Sequence, residues 1–302
     1  MKKLIILLSL SLLFISCAST DYVEKNHSKN VELLKISTPY TSSEFTASRP
    51  EAKANLVDQA RATQIREYFK ANTTLDLDAI SASQKSTWEK AIEVAVFVAK
   101  NIPHNNQKEF LVERNAITLW EYSRRVKTGF NCRWHATILS ELLLSIDIKN
   151  SFVTCLPFDK KDGDCHVVNI IWLPELNKWA MLDCDMTEYI TDLEEPDIPL
   201  SLEEMREYIQ NDKEFTVNVL PGFENSWVAK PSGLDYMQAY WAKNLYWFAL
   251  YTVYAFDLEG ERNNNGSSKY ASYYTCLVPP DYNSLDFSGY GVVTSDANWF
   301  WK

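Results

Sequence analysis

Glycine is scarce, with 8 residues in 302, whereas 46% of residues are hydrophobic and 13% aromatic. A collagen-like rod and a disordered tail are both excluded, and the chain can bury a core. No basic excess exists either: 30 Lys and Arg face 40 Asp and Glu, and no Lys/Arg stripe interleaves with aromatics. The closest basic cluster, Arg124, Arg125 and Lys127, reads as the solvated end of a helix. Such a surface repels polyanions, so nucleic acid is not expected as a partner. A run of roughly 20 apolar residues, the length a bilayer span requires, is missing near the start, where the apolar stretch covers only residues 4–15. CxxC pairs are absent among the six cysteines at 17, 132, 155, 165, 184 and 276, which removes a zinc ribbon and a thioredoxin-like dithiol. With four histidines and no metal-ligand spacing, no metal and no cofactor is expected.

The short apolar run follows Met1-Lys2-Lys3 and leads directly to Ser16-Cys17, as in a cleaved export signal. Its final residues, FISC, resemble a bacterial lipobox, which implies cleavage before Cys17 and lipid on the Cys17 thiol and new amino terminus; an ordinary signal peptide is the alternative. More than one acyl chain would make the attachment stable. The expected location is the cell envelope, lipid-anchored outside the cytoplasm, at an outer membrane facing the periplasm or the surface. Loss of Lys2 and Lys3 leaves 28 basic against 40 acidic residues, a formal charge of −12. Lipidation uses one cysteine, and the odd five that remain leave at least one thiol free if pairing is intramolecular.

Residues 18–50 are rich in Ser, Thr and Asn without a sustained helical period and read as a tether. The expected division is a signal at 1–16, a lipidated tether at 17–50 and a single domain at 51–302. Helices are predicted over 52–70 and over 86–101, the second capped at Ser86-Thr87 with an apolar stripe at Ala91, Val94, Ala95 and Val98. Residues 107–127 supply one long or two short helices. From Asn131 another helix is predicted, with Cys132, Ala136, Leu139 and Leu143 on one face. Residues 151–156, 165–172 and 178–183 have strand character, the last two joined by the short LPELN connection of an antiparallel hairpin. Helix followed by antiparallel strands gives an α+β fold. Toward the C-terminus, Trp241, Leu245, Phe248 and Thr252 recur at helical spacing, which favours core packing of the aromatics over a carbohydrate platform.

Three segments carry candidate chemistry: GFNCRWHA, GDCHVVNIIW and KWAMLDCD. A thiol nucleophile needs an imidazole to take its proton, and the imidazole needs a group to fix its tautomer and stabilise its charge. Cys132 starts a helix, where unpaired N–H groups and the positive dipole end favour thiolate; a buried structural cysteine is the plainer reading of the same position. A hairpin turning near 174–176 pairs residues summing to 349 or 350, which sets His166 opposite Asp183 or its neighbour. The 349 register also sets Cys165 opposite Cys184, either as a cross-strand disulfide or as two packed side chains. His135 lies three residues beyond Cys132 without a positioned acid, and His104 and His27 stand without metal-ligand company.

The succession Gly129-Phe130-Asn131-Cys132, Asp164-Cys165-His166-Val167-Val168 and Trp179-Ala180-Met181-Leu182-Asp183 resembles the transglutaminase-like core of the papain-like cysteine enzyme superfamily, over roughly residues 110–190. The resemblance implies an α+β fold with a cysteine-bearing helix packed on a small antiparallel sheet. It carries the nucleophile onto Cys132, the general base and acid onto His166, and the orienting acid onto Asp183. Asn131 before Cys132 and Val167 after His166 depart from the family's usual glycine and aromatic neighbours, which bears on substrate preference. The Cys132 N–H would supply part of an oxyanion hole; Trp120 and Gln107 lie upstream as sources of a second donor, and spacing does not choose between them. The expected activity is attack on an amide or peptide bond through a thioester, with hydrolysis favoured over transamidation. Its substrate would be a peptide or protein amide, cell-wall peptide included. The alternative is a lipid-anchored peptide- or glycan-binding protein that uses the same cleft without turnover.

Overall fold

The computed structural model describes residues 20–42, 57–106, 112–126, 129–251, 274–283, 287 and 292–301. The signal segment, Cys17, Gln107, Lys127 and Thr252 lie outside these residues.

Local signals place the helices that support the site. Ser86 caps α5 (Thr87–Asn101) in a reciprocal arrangement with Glu89, and Ala91, Val94, Ala95 and Val98 are all buried on its inner face. Asn131 caps α7 (Cys132–Leu144) by accepting the Trp134 N–H through its side chain. Upstream are α3 (Gln59–Asn72), α4 (Leu77–Ala82) and α6 (Ala116–Val126), which pack with α5 and α7 around Phe69, Phe130 and Leu139.

The strands β1 (Asn150–Leu156), β2 (His166–Leu173) and β3 (Lys178–Leu182) follow as the side-chain pattern predicts. With β6 (Trp247–Tyr251), β7 (Tyr274–Leu277) and β8 (Val292–Thr294) they form a six-stranded sheet in the order β3-β2-β1-β6-β7-β8. Among the described strands of this sheet, β7 and β8 are the parallel neighbours. The remaining pair, β4 (Glu188–Asp192) and β5 (Phe215–Val219), makes a separate two-stranded sheet. Ile171, Leu173, Ala180 and Leu182 meet the α5–α7 helices on one face of the large sheet. Val153, Val168, Ile170 and Met181 meet α8 (Leu202–Gln210) and α9 (Pro231–Asn244) on the other. Burial on both faces explains why β2 is apolar without alternation. The fold is therefore mixed α+β, with helices packed on a small sheet.

Three expectations change. Residues 18–50 contain α1 (Thr20–Lys25) and α2 (His27–Ile36), which pack on α9 with Val23 and Leu34 fully buried, so folded structure begins well before residue 50. A single buried residue in each short helix, among the side chains described, leaves too little periodicity to read from sequence. The spacing of Trp241, Leu245 and Phe248 crosses a boundary: α9 ends at Asn244 and Phe248 lies in β6, although all three residues are fully buried as core. Finally, the β2–β3 hairpin turns through residues 174–177, with Asn177 at φ +51°, and its pairs sum to 351, as in Asn169 with Leu182. Cys165 and Cys184 are therefore not opposite one another, and both are free thiols.

A short C-terminal helix, α10 (Ala297–Trp301), closes the described chain. Among the described residues no helix is long and apolar enough to cross a membrane.

Candidate active site

Cys132 is the first residue of α7, half-buried at a cavity also lined by His104, Asn131, Asp164, Asp185 and Tyr240. The chain reaches it through a constrained approach. Phe130 N–H donates to Pro103 O at 3.0 Å and Asn105 N–H donates to Phe130 O at 2.6 Å, joining the 103–105 segment to the residues ahead of Cys132. Gly129 adopts φ +78°, and a Cβ there would stand 2.0 Å from Pro103 O, so glycine alone fits this crossing. Across the cavity, Lys243 Nζ holds Asp164 at 2.6 Å and Asp162 at 3.2 Å, fixing the loop that leads into β2.

His166 opens β2 with its ring buried edge-on against Tyr240 and Trp241 of α9. Its Nε2 lies 2.5 Å from Asp183 Oδ2, which leaves Nδ1 as the nitrogen available to the thiol. Asp183 Oδ1 accepts the N–H groups of Asp185 at 2.9 Å and Met186 at 3.0 Å, so both oxygens of this buried carboxylate are engaged. Extending the 351 register places Val168 across from Asp183 and makes His166 its diagonal neighbour, a relation still within side-chain reach. Burial alone would lower the His166 pKa, but the Asp183 charge, its hydrogen bond and the Cys132 side chain outweigh it and hold the pKa well above the ordinary imidazole value.

Behind Asp183 lies a second buried acid. Glu188 exchanges two 2.9 Å backbone hydrogen bonds with Asp183 and accepts Trp241 Nε1–H at 2.8 Å. Complete burial, reinforced by the Asp183 charge, raises its pKa well above the usual carboxylate range.

The structure adds residues that the sequence reading left aside. His135, expected to lack an acidic partner, is buried with Nδ1 2.9 Å from Asp185 Oδ1 and 3.0 Å from Asn131 O, while Nε2 is 2.9 Å from Ile102 O. Every one of these neighbours is an acceptor, so both ring nitrogens carry protons and the side chain is an imidazolium. Burial opposes that charge, but Asp185 outweighs it and raises the pKa. His104, read as an isolated loop residue, also places Nδ1 2.9 Å from both Asp185 oxygens. Burial would raise the Asp185 pKa; the two histidines outweigh it and hold the carboxyl well below its ordinary range. The sequence carried one signal for Asp185: it stands two residues from Asp183, near enough for its N–H to reach the Asp183 carboxylate in a turn. Donor atoms of Cys132, His166 and Asp185 all lie within 4.8 Å of one another. Trp120, by contrast, is buried in the helical core, stacked on Phe97 away from this cavity, and is not an oxyanion donor.

The arrangement is a buried Cys-His-Asp cluster, with a sulfur at a helix N-terminus, an imidazole beside it and a carboxylate fixing the ring. It has the parts for cysteine-enzyme chemistry.

No protein-family model matches the chain, and no curated protein matches it. Two solved structures show a weak resemblance. One is described as a "Putative Cysteine Protease from Cytophaga hutchinsonii", with TM-score 0.29 and 9% identity over 48% of this chain and 46% of that one. The other is described as a "putative protease from Parabacteroides distasonis ATCC 8503", with TM-score 0.26 and 9% identity over 56% of this chain and 27% of that one. The chain spans less than half of either protein. At this level of likeness neither structure says what this chain does.

Proposed function

We propose that the protein is an exported, lipid-anchored cysteine enzyme of transglutaminase-like type that cleaves amide or peptide bonds through Cys132, His166 and Asp183. The observation that carries this reading is the 2.5 Å contact between Asp183 and the His166 Nε2, which directs the other ring nitrogen to a thiol at a helix N-terminus. In the first half-reaction the Cys132 sulfur attacks the carbonyl carbon, His166 passes the thiol's proton to the departing amine, and a thioester remains. In the second, water attacks the thioester, its proton goes to His166, and the Cys132 sulfur leaves. Hydrolysis is favoured over transfer to an amine because water is abundant outside the cytoplasm and no amine-binding site is identified. The acidic surface favours neutral or cationic substrates, with peptides and cell-wall peptides as the class.

The signal at 1–16, lipid on Cys17 and a catalytic core near 110–190 within one domain belong to the same proposal. The packing of α1 and α2 shortens the tether available between lipid and core. Globomycin-sensitive processing and metabolic lipid labelling of Cys17 test the anchor; an unlabelled Cys17 would sink it.

The chemistry is tested with p-nitrophenyl acetate as acyl donor. Wild type should release a burst of one nitrophenolate per chain and leave an acetyl group on Cys132, found by mass spectrometry. Cys132→Ala should show neither while keeping its fold. A retained burst in C132A, or no burst in wild type, overturns the assignment.

A further inference from the structure

Cys132, His166 and Asp185 present a sulfur, an imidazole nitrogen and a carboxylate oxygen, all within 4.8 Å of one another, at one cavity. The hydrolytic scheme uses the first two, and Asp185 has no part in it. Each of the three is held from behind in the manner of a metal ligand. His166 has its Nε2 on Asp183, which leaves Nδ1 for the cavity, the carboxylate–histidine support that fixes ligand orientation and raises basicity. Asp185 Oδ1 accepts from both His135 and His104, whereas among the described residues Oδ2 accepts from His104 alone and keeps a lone pair for a cation. Cys132 is fixed by the Asn131 cap and the glycine crossing ahead of it.

We infer that Cys132, His166 and Asp185 form a Zn²⁺ site that closes the enzyme when occupied. One thiolate, one imidazole and one carboxylate suit Zn²⁺ rather than the oxygen-seeking Mg²⁺ or Ca²⁺, and three protein ligands leave the fourth tetrahedral position to a water from the cavity. Binding displaces the thiol proton to solvent and takes the Nδ1 lone pair, so the nucleophile and its base are withdrawn together. The ligand set does not depend on the thiol being a working nucleophile, so this inference and the proposed hydrolase can fail separately.

The test replaces Zn²⁺ with Co²⁺, whose spectrum reports its ligands. Metal-free wild-type protein titrated with Co²⁺ should develop a sulfur-to-cobalt charge-transfer band and the visible bands of a tetrahedral ion. Cys132→Ser should lose the charge-transfer band. Asp185→Asn should weaken binding, and Asp183→Asn, which removes the carboxylate behind His166 and leaves all three ligands in place, should weaken it about 10–100-fold. In parallel, Zn²⁺ should protect Cys132 from iodoacetamide, and a chelator should restore labelling. Co²⁺ bound without the charge-transfer band, binding untouched by C132S or D185N, or alkylation indifferent to Zn²⁺ would each overturn the site. Turnover that requires Zn²⁺ would overturn the closing role.

Discussion

Asp183 and His166 meet at 2.5 Å between Oδ2 and Nε2, while the other Asp183 oxygen is held by two backbone N–H groups. That second attachment means the carboxylate cannot swing away without disturbing the turn after β3. Asp183→Asn should keep those backbone bonds through its amide oxygen and turn its NH₂ toward the ring. His166 then accepts at Nε2 and carries its proton on Nδ1, the tautomer that cannot take a proton from the thiol. Turnover of p-nitrophenyl acetate should fall on the order of 10³-fold with circular dichroism unchanged. A loss below tenfold would contradict the role given to Asp183.

Native thiol labelling should be sharply selective. Burial pushes the Cys276 thiol up to about 12 and raises the Cys155 and Cys184 thiols as well, while Cys165 is raised by burial and by the nearby Cys132 sulfur. Iodoacetamide near neutral pH should therefore modify Cys132 first, with the three buried cysteines reacting only on unfolding. Mass mapping without reductant should return Cys165 and Cys184 as thiols, and a peptide linking them would contradict the 351 register.

Glu188 gives a pH signature. Its folded pKa lies above the ordinary glutamate value of 4.5, so native protein holds a proton that the unfolded chain releases. The associated stability is fully present below pH 4.5 and is lost as pH rises through the folded pKa. Over that window wild type should lose up to about 1.4 kcal/mol per pH unit from this group. Glu188→Gln keeps an acceptor for Trp241 and has no proton to lose, so its urea midpoint relative to wild type should rise from pH 5 to pH 8. A constant offset across that range would show Glu188 to be ionised in the fold.

Gly129→Ala should be costly despite adding one methyl group. The Cβ would fall 2.0 Å from a carbonyl oxygen, at a backbone angle that L side chains rarely adopt. Relief requires parting the 103–105 segment from the residues ahead of Cys132. Stability should drop by about 2 kcal/mol or more, and the nitrophenolate burst should be slowed. A variant with wild-type melting behaviour would show that the crossing can relax.

What short-range physics controls could be read along the chain. The Ser86 and Asn131 caps and the apolar stripe of α5 mark their helices because caps and turns are closed by neighbours three or four residues away. The strands of the β2–β3 hairpin, at the edge of the large sheet, were legible for the same reason, and Cys132, His166 and Asp183 stood out as residues to watch by residue type within three short segments. The tertiary structure alone decided the register, which a four-residue turn moved to 351, and with it the diagonal contact of His166 with Asp183. It alone brought His104 and His135, distant in sequence from Asp185, onto one carboxylate, and placed that carboxylate beside the thiol. It also made residues 20–36, part of the segment read as a tether, into helices, through packing on α9 that no local pattern announces. Partners joined by long-range burial leave no period in the chain, and at this site those partners include the groups that set its charge.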